Sequence, residues 1–161
     1  MKRTIFIGQA MPRVKKNPHD WPSLNSWLYS IGVSEGQIKK NFFYSALVDY
    51  FPGSKSGSHR VPTEAEIQKE RARLAKTIKD FKPQVIVTIG KLSLSHCLLK
   101  EIDLLSKFIG KTFKVDPYNI TGKKILIIPL PHPSGASTWY RKPGNRKLLN
   151  RALKLLKNNL F

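Results

Sequence analysis

Apolar residues along this chain fall into four short, nearly continuous runs that are separated by stretches with helical spacing. The runs cover residues 4–8, 42–48, 85–90 and 125–130. Runs without polar alternation are typical of parallel strands that helices cover on both faces. The pattern therefore predicts an α/β fold, a three-layer α/β/α sandwich around a parallel sheet.

Helices are predicted between these runs and after the last one. Three of them occupy residues 23–32, 91–100 and 146–160. The clearest helix follows Thr63, which forms a predicted capping box with Glu66, and it ends before Pro83. Because the chain shows no linker and no internal repeat, we expect residues 1–161 to form one domain.

The loops that follow the predicted strands are the expected place for a ligand site. The carboxyl ends of parallel strands share one edge of the sheet, and ligands bind in the crevice at that edge. These loops span residues 9–21, 49–62 and 131–142, together with the turn at Gly90. Candidate functional residues are therefore sought there first.

The composition adds a strong charge signal. Lys and Arg number 29 against 10 Asp and Glu, which gives a formal net charge of +19. Compacting so much like charge costs stability, so a polyanionic partner, nucleic acid, is the favoured explanation. A surface adapted to solubility or to high temperature is the alternative, although such surfaces usually pair Lys with Glu, which is scarce here.

The one cysteine, Cys97, excludes an intramolecular disulfide and an all-cysteine metal site. Its apolar neighbours predict a small buried thiol. No apolar run reaches the roughly 20 residues that cross a bilayer, and the run at residues 4–8 is too short for a signal peptide. We expect a soluble intracellular protein, cytoplasmic or associated with the nucleoid.

Two loop motifs hold the most specific chemical information. Residues 8–12 read Gly-Gln-Ala-Met-Pro, a glycine turn at the end of the first strand that suits close approach of a planar or anionic group. After the last strand, His132 stands between Pro131 and Pro133 and is followed by small hydroxyl residues. A histidine fixed in this way at the carboxyl edge of a sheet favours a functional role over a structural one.

Both motifs resemble the signature motifs of the uracil-DNA glycosylase superfamily. Residues 44–48, 60–67 and 82–90 are similar to the branches called families four and five, and the likeness covers nearly the whole chain in order. The resemblance implies a four-stranded parallel sheet between helices. It also implies a monofunctional glycosylase of base excision repair, which flips a damaged base out of DNA and hydrolyses its N-glycosidic bond.

The resemblance further implies roles for individual residues. His132 would donate a hydrogen bond to a carbonyl oxygen of the leaving base. Trp21 would stack on the flipped base, or else close the core as a lid. The base pocket would comprise Gly8, Gln9, Ala10, Trp21 and Ser45. DNA would be contacted by Pro133, Ser134, Gly135, Ala136, Ser137 and Arg60, with Ala136 to Thr138 near the gap left in the duplex.

The chain departs from the family pattern at its acid and at its base-reading residue. Ala10 stands where several branches of the family have an acid that activates water. Asp49 is the favoured residue to take over this role, and Asp20 is the alternative. Hydrolysis without such an acid also stays open. Ser45 and Ala46 replace an asparagine that reads uracil in many relatives. Uracil, hypoxanthine or another deaminated base is therefore the expected substrate.

Tyr50 stands where a cysteine ligand of an iron–sulfur cluster would be expected, so no cofactor and no metal is predicted. The expected partner is DNA with a damaged base, bound by a monomer. One alternative is a DNA-binding protein on the same fold that has lost catalysis. Another is an α/β enzyme of nucleotides or phosphate esters, which would need a phosphate loop or clustered carboxylates that the sequence lacks.

Overall fold

The computed structural model describes residues 1–14, 20–56, 58–133 and 138–161. Within these ranges the strands β1 to β7 cover Thr4–Ala10, Phe42–Val48, Ser54–Lys55, Ser58–His59, Val85–Ile89, Phe113–Val115 and Ile125–Leu130. The helices α1 to α5 cover Pro22–Ser30, Glu35–Asn41, Glu64–Phe81, Lys91–Leu98 and Pro143–Leu160. Short 3-10 helices cover Leu105–Lys107, Pro117–Asn119 and Trp139–Arg141.

The central sheet has the strand order β2-β1-β5-β7-β6. β1 pairs in parallel with β2 and β5, and β5 pairs in parallel with β7, as the four apolar runs predicted. β6 adds a fifth strand that runs antiparallel to β7 at the edge, where four strands were expected. Phe113 and Val115 of β6 are half-buried and Lys114 is exposed, so this three-residue strand leaves no continuous apolar run in the sequence.

Helices cover both faces of the sheet, which confirms the three-layer α/β/α sandwich. On one face, Phe6 and Tyr44 of the sheet pack in one apolar cluster with buried residues of α1, α2 and α5. On the other face, Ile5 and Ile7 pack in a second cluster with buried residues of α3 and α4. The side chains of consecutive residues in β1 therefore pack against opposite helical layers, as the alternation of side chains along a strand requires.

Capping boxes begin two of the helices. At α3 the predicted box is present. The Thr63 side chain accepts a hydrogen bond from the Glu66 backbone N–H, and the Glu66 side chain accepts one from the Thr63 backbone N–H. α2 was not predicted, yet it begins with the same device between Ser34 and Gln37. Its seven residues bury only Ile38, so its apolar face is too short to show a helical period.

Backbone hydrogen bonds fix the carboxyl edge of the sheet, where the loops leave the strands. Gly90 turns the chain from β5 into α4 with φ +83°, and its N–H donates to the Leu130 carbonyl at 2.9 Å. Met11 N–H donates to the Val48 carbonyl at 3.1 Å, which ties the loop after β1 to the end of β2. The loops that build the site thus start from a rigid edge.

Candidate active site

A cavity of 530 Å³ lies at the carboxyl edge of the sheet, and we call it the edge cavity. This volume falls within the range of about 300–1,000 Å³ that is usual for small-molecule sites. Its walls come from the loops after β1 and β7, the start of α1 and the segment between β2 and α3. The lining residues are Gln9, Ala10, Met11, Pro12, Arg13, Val14, Trp21, Pro22, Ser23, Phe51, Pro52, His59, Arg60, His132 and Pro133.

His132 lies in the wall formed by the loop after β7. Pro131 and Pro133 are buried on either side of it, while the histidine itself is exposed. Because each proline fixes its own φ, the backbone on both sides of His132 is restricted. The structure therefore brings His132 to the same cavity as Gln9 and Ala10, which leave β1 on another wall.

Trp21 connects the edge cavity to the core. It is 8% exposed and belongs to the apolar cluster on the α1 and α5 face. Its ring centroid lies 5.6 Å from that of His132, with an interplanar angle of 70°, and 5.7 Å from that of Tyr44. The indole thus closes the core as a lid and also lines the cavity, and its stacking on a flipped base stays a prediction.

Gly8 makes room for Tyr44 of the neighbouring strand and lies behind the cavity lining. A Cβ atom built on Gly8 would clash with the Tyr44 hydroxyl oxygen. Burial raises the pKa of Tyr44 well above its ordinary value, so the hydroxyl stays protonated. Tyr44 was not among the candidate residues. It pairs with Phe6 on the adjoining strand, so it is a diagonal neighbour of Gly8, and a large aromatic residue two positions along β2 from the partner of a glycine is a signal that could have found it.

Ser45 does not line the edge cavity, contrary to its predicted place in a base pocket. It is 3% exposed, and its hydroxyl accepts a hydrogen bond from Arg73 Nη1 at 3.2 Å. Side chains alternate along β2, so Tyr44 faces the layer of α1 while Ser45 faces α3. The strand end was identified from the sequence, but the face on which Ser45 lies was not.

Neither candidate acid belongs to the cavity lining. Asp49 is exposed directly after β2, and Asp20 is half-buried just before Trp21. Ala10 lines the cavity at the position where several branches of the uracil-DNA glycosylase superfamily, which the sequence resembles, have an acid. Among the described residues, the lining therefore contains imidazoles, guanidinium groups and an amide, but no carboxylate.

Arg60 lines the cavity, but its guanidinium group is bound to Glu66. Nη1 and Nη2 donate to the two carboxylate oxygens at 2.9 and 2.7 Å, and Nε donates to the Pro52 carbonyl at 2.8 Å. These charge-assisted bonds hold the pKa of Glu66 well below its usual range. Arg60 therefore fixes the segment between β2 and α3, and a contact of Arg60 with DNA stays a prediction.

Two aromatic residues of the same segment line the cavity and were not among the candidates. Phe51 and His59 meet edge to face, with ring centroids 5.1 Å apart and planes at 85°. His59 belongs to the short antiparallel pair of β3 and β4. Their place in a loop at the carboxyl edge was the available signal, since binding residues concentrate in such loops.

The hydroxyl-rich part of the second motif lies outside the described residues. Ser134, Gly135, Ala136 and Ser137 all fall there, so their predicted contacts with DNA stay predictions. Pro133, just before them, is buried and lines the cavity, and Thr138, just after them, is exposed.

The donor set does not fit an iron–sulfur cluster. Cys97 is 1% exposed inside the apolar cluster on the α3 and α4 face, and burial raises the pKa of its thiol, so it is the small buried thiol expected. Tyr50 stands at the position of the expected cysteine ligand, and partial burial together with the nearby Glu66 carboxylate raises the pKa of its phenol. Nor do His, Cys, Asp and Glu side chains of the described ranges form a group that could hold a metal ion.

Comparison with known proteins agrees with the fold. A relative, the type-4 uracil-DNA glycosylase of Saccharolobus solfataricus, is 32% identical over 126 residues, which are 78% of this chain and 55% of that protein. The chain thus spans about half the length of the curated relative it matches. In the described part of the chain, no helix is both long and apolar enough to span a membrane. The model of the uracil DNA glycosylase superfamily matches residues 2–157, and the chain therefore belongs to that superfamily.

Proposed function

We propose that this protein is a monofunctional DNA glycosylase that removes uracil, or a related deaminated base such as hypoxanthine, from DNA in base excision repair. The superfamily of the chain and the activity of its type-4 relative support this function. The proposal treats residues 1–161 as one domain that acts as a monomer, inside the cell, on DNA.

One observation supports the proposal most directly: His132 and the glycine loop after β1 line the same cavity. A nucleobase is planar and presents carbonyl and N–H groups at its edge. Backbone groups of Gln9 and Ala10 would hold that edge from one wall, while the His132 imidazole would donate to a carbonyl oxygen from another. Trp21, beside His132, would offer an aromatic surface to the flipped base.

The reaction breaks the bond between the sugar C1′ and the base nitrogen, and the bonding electrons leave with the base. A water oxygen then forms the new bond to C1′, and its proton leaves to the base or to solvent. Negative charge develops on the carbonyl oxygen of the base as the bond stretches. A preorganised donor at that oxygen lowers the barrier by about 3–4 kcal/mol, which is the role we assign to His132.

The positive charge of the chain would offset the cost of base flipping. Extruding a base from the duplex costs a few kcal/mol, and phosphate contacts supply binding energy that can meet this cost. Arg13 lies in the cavity lining, and residues 133–137 are proposed to contact the DNA backbone. Phosphate contacts of this kind position the DNA without reading its sequence.

A second candidate function is DNA binding without catalysis. The observation that favours it is the carboxylate-free lining among the described residues, since no acid there could activate water. Such a protein would bind DNA with a steep salt dependence and leave modified oligonucleotides intact.

Labelled oligonucleotides that contain uracil, hypoxanthine or xanthine separate the two functions. Each is incubated with the protein as a single strand and opposite each normal base, and abasic sites are then cleaved with alkali. We expect cleavage of at least one substrate. Binding to all of them with cleavage of none would establish the second function instead.

A further inference from the structure

A second groove, of 700 Å³, lies at the opposite end of the sheet from the edge cavity. The residues around it precede β1, β5 and β7 or end α3, so it sits at the amino edge. Six lysines line it, namely Lys2, Lys79, Lys82, Lys114, Lys123 and Lys124. We call this feature the lysine groove, and no carboxylate belongs to its described lining.

The six lysines are not neutralised by the protein. None of them forms an ion pair within residues 1–14, 20–56, 58–133 and 138–161. The nearest acids in sequence have other partners: Asp80 pairs with Lys76, and Asp116 accepts from Thr121 and from the Gly122 backbone. Six uncompensated ammonium groups around one groove repel one another, so an anion bound between them would be stabilised.

Helix geometry explains only part of this cluster. Lys79 and Lys82 lie at the carboxyl end of α3, where cations interact favourably with the helix dipole. Of the other four lysines, Lys2 precedes β1, Lys114 lies in β6, and Lys123 and Lys124 precede β7, where no such effect applies. Lys82 moreover has φ +50°, in the left-handed region where glycine is the usual residue at a helix end, so a lysine is present there at a conformational cost.

We propose that the lysine groove binds the phosphate backbone of a second DNA duplex, separate from the DNA that enters the edge cavity. Proteins that hold single strands stack bases on aromatic side chains, and no aromatic residue belongs to the described lining of this groove. Six lysine side chains without a carboxylate among the described lining match the negative charge of a phosphate backbone, which is bound without regard to sequence.

The two sites lie at opposite ends of the strands, so one straight duplex does not enter both. β1 has seven residues, which at about 3.3 Å each separate the two edges of the sheet by roughly 20 Å. A duplex much shorter than its persistence length of about 150 base pairs is stiff and cannot bend around the sheet to reach both edges. Occupation of both sites by short duplexes therefore requires two molecules, and the protein would bridge them.

The test measures whether one protein holds two duplexes at once. The probes are two unmodified duplexes of about 15 base pairs that bear different fluorophores. Because neither duplex contains a damaged base, the result does not depend on glycosylase activity. The lysine-groove variant K79E/K123E/K124E is compared with K40E/K111E/K154E, which makes the same charge change at exposed lysines outside the groove. We expect energy transfer between the two fluorophores with the wild type and with the control. We expect at least a tenfold loss of that signal with the groove variant.

This inference rests on the proposed function at one point, namely that DNA enters the edge cavity. Energy transfer reports on the lysine groove and uracil release reports on the proposed function, so the two can fail independently. The groove variant should still bind one duplex and release uracil at the wild-type rate. Equal bridging by both variants, equal loss in both, or a wild type that binds only one duplex would each overturn the lysine groove as a DNA site. Loss of uracil release without loss of bridging, in any variant, would concern the proposed function alone.

Discussion

Gly8 illustrates how one missing side chain shapes the floor of the site. The Tyr44 hydroxyl occupies the space that a Cβ on Gly8 would need, and Tyr44 in turn contacts Trp21, which contacts His132. A change at Gly8 is therefore transmitted through two rings to the imidazole. Packed interiors respond to even one added methyl group, because few voids exist to absorb it.

Gly8→Ala should lower the free energy of unfolding by about 1–3 kcal/mol, the usual cost of overpacking. Tyr44→Phe removes the clashing oxygen, so the double variant should recover most of the loss. Denaturant unfolding of the four proteins gives the coupling energy directly. Gly36→Ala is the matched control, since a Cβ there meets nothing within 4 Å and alanine suits a helix better than glycine. Equal losses with and without the Tyr44 hydroxyl would contradict this contact.

Asp49→Asn tests whether an acid outside the cavity lining activates water. If Asp49 positioned the nucleophile, its loss would slow base release at least about tenfold. Because Asp49 is exposed and does not line the cavity, we expect a smaller effect. Single-turnover rates with a uracil substrate provide the comparison, with Asp20→Asn measured beside it. A tenfold fall in Asp49→Asn alone would assign the water to Asp49.

At the scale of elements, the segment between β2 and α3 is held by one ion pair. Arg60 bonds both Glu66 oxygens, and Glu66 also accepts from the Thr63 backbone at the start of α3. Phe51 and His59 of the edge cavity belong to this segment. The pair therefore links the stability of a helix start to the shape of a cavity wall.

Glu66→Gln should lower the melting temperature at pH 7, and the difference from wild type should shrink in acid. The pKa of Glu66 is depressed in the folded state, so its contribution is complete above the unfolded pKa of about 4.3 and declines as pH falls below that value. Melting temperatures between pH 7 and pH 3 test this. Glu35→Gln, which breaks an exposed pair with Lys39, should change little at any pH. A difference between Glu66→Gln and wild type that stays constant down to pH 3 would contradict the account.

The elements that the sequence predicted are those with strong patterns. The four parallel strands are continuous apolar runs, and α3 has both a cap and a long apolar stripe. α2 and β6 were not predicted, because each buries too few residues for its apolar positions to show a helical or strand period. The face of Ser45 could not be predicted, since register and strand partner decide it, and both depend on contacts distant in sequence.

The site was predictable in its two loops and not in its remaining wall. Prolines beside His132 and the glycine after β1 constrain the backbone locally, so their positions follow from short motifs. Phe51 and His59 belong to a segment that Arg60 holds by bonds to Glu66 and to the Pro52 carbonyl. Residues 60–67 were identified as a motif, but that motif does not indicate that these two rings reach the cavity.

For the whole molecule, the charge of +19 predicts how DNA binding responds to salt. If six to ten phosphates are contacted, affinity for a short duplex should fall by about 10³-fold or more between 50 and 200 mM salt. Fluorescence anisotropy across this range measures the slope. His132→Ala should share the wild-type slope, because the imidazole contacts the base rather than the backbone. A slope near zero would contradict phosphate contacts as the source of affinity.

His132 and the cavity at the carboxyl edge of the sheet together form the proposed active site. The single-turnover rate of uracil release by His132→Ala tests this most directly. His96→Ala is the matched control, since His96 lies on α4 beside Glu64 and does not line the cavity. Removing a preorganised donor costs about 10²–10³-fold in rate. We therefore expect a loss of that size in His132→Ala, with DNA binding retained and with His96→Ala at the wild-type rate. Equal rates for the two variants would contradict the account.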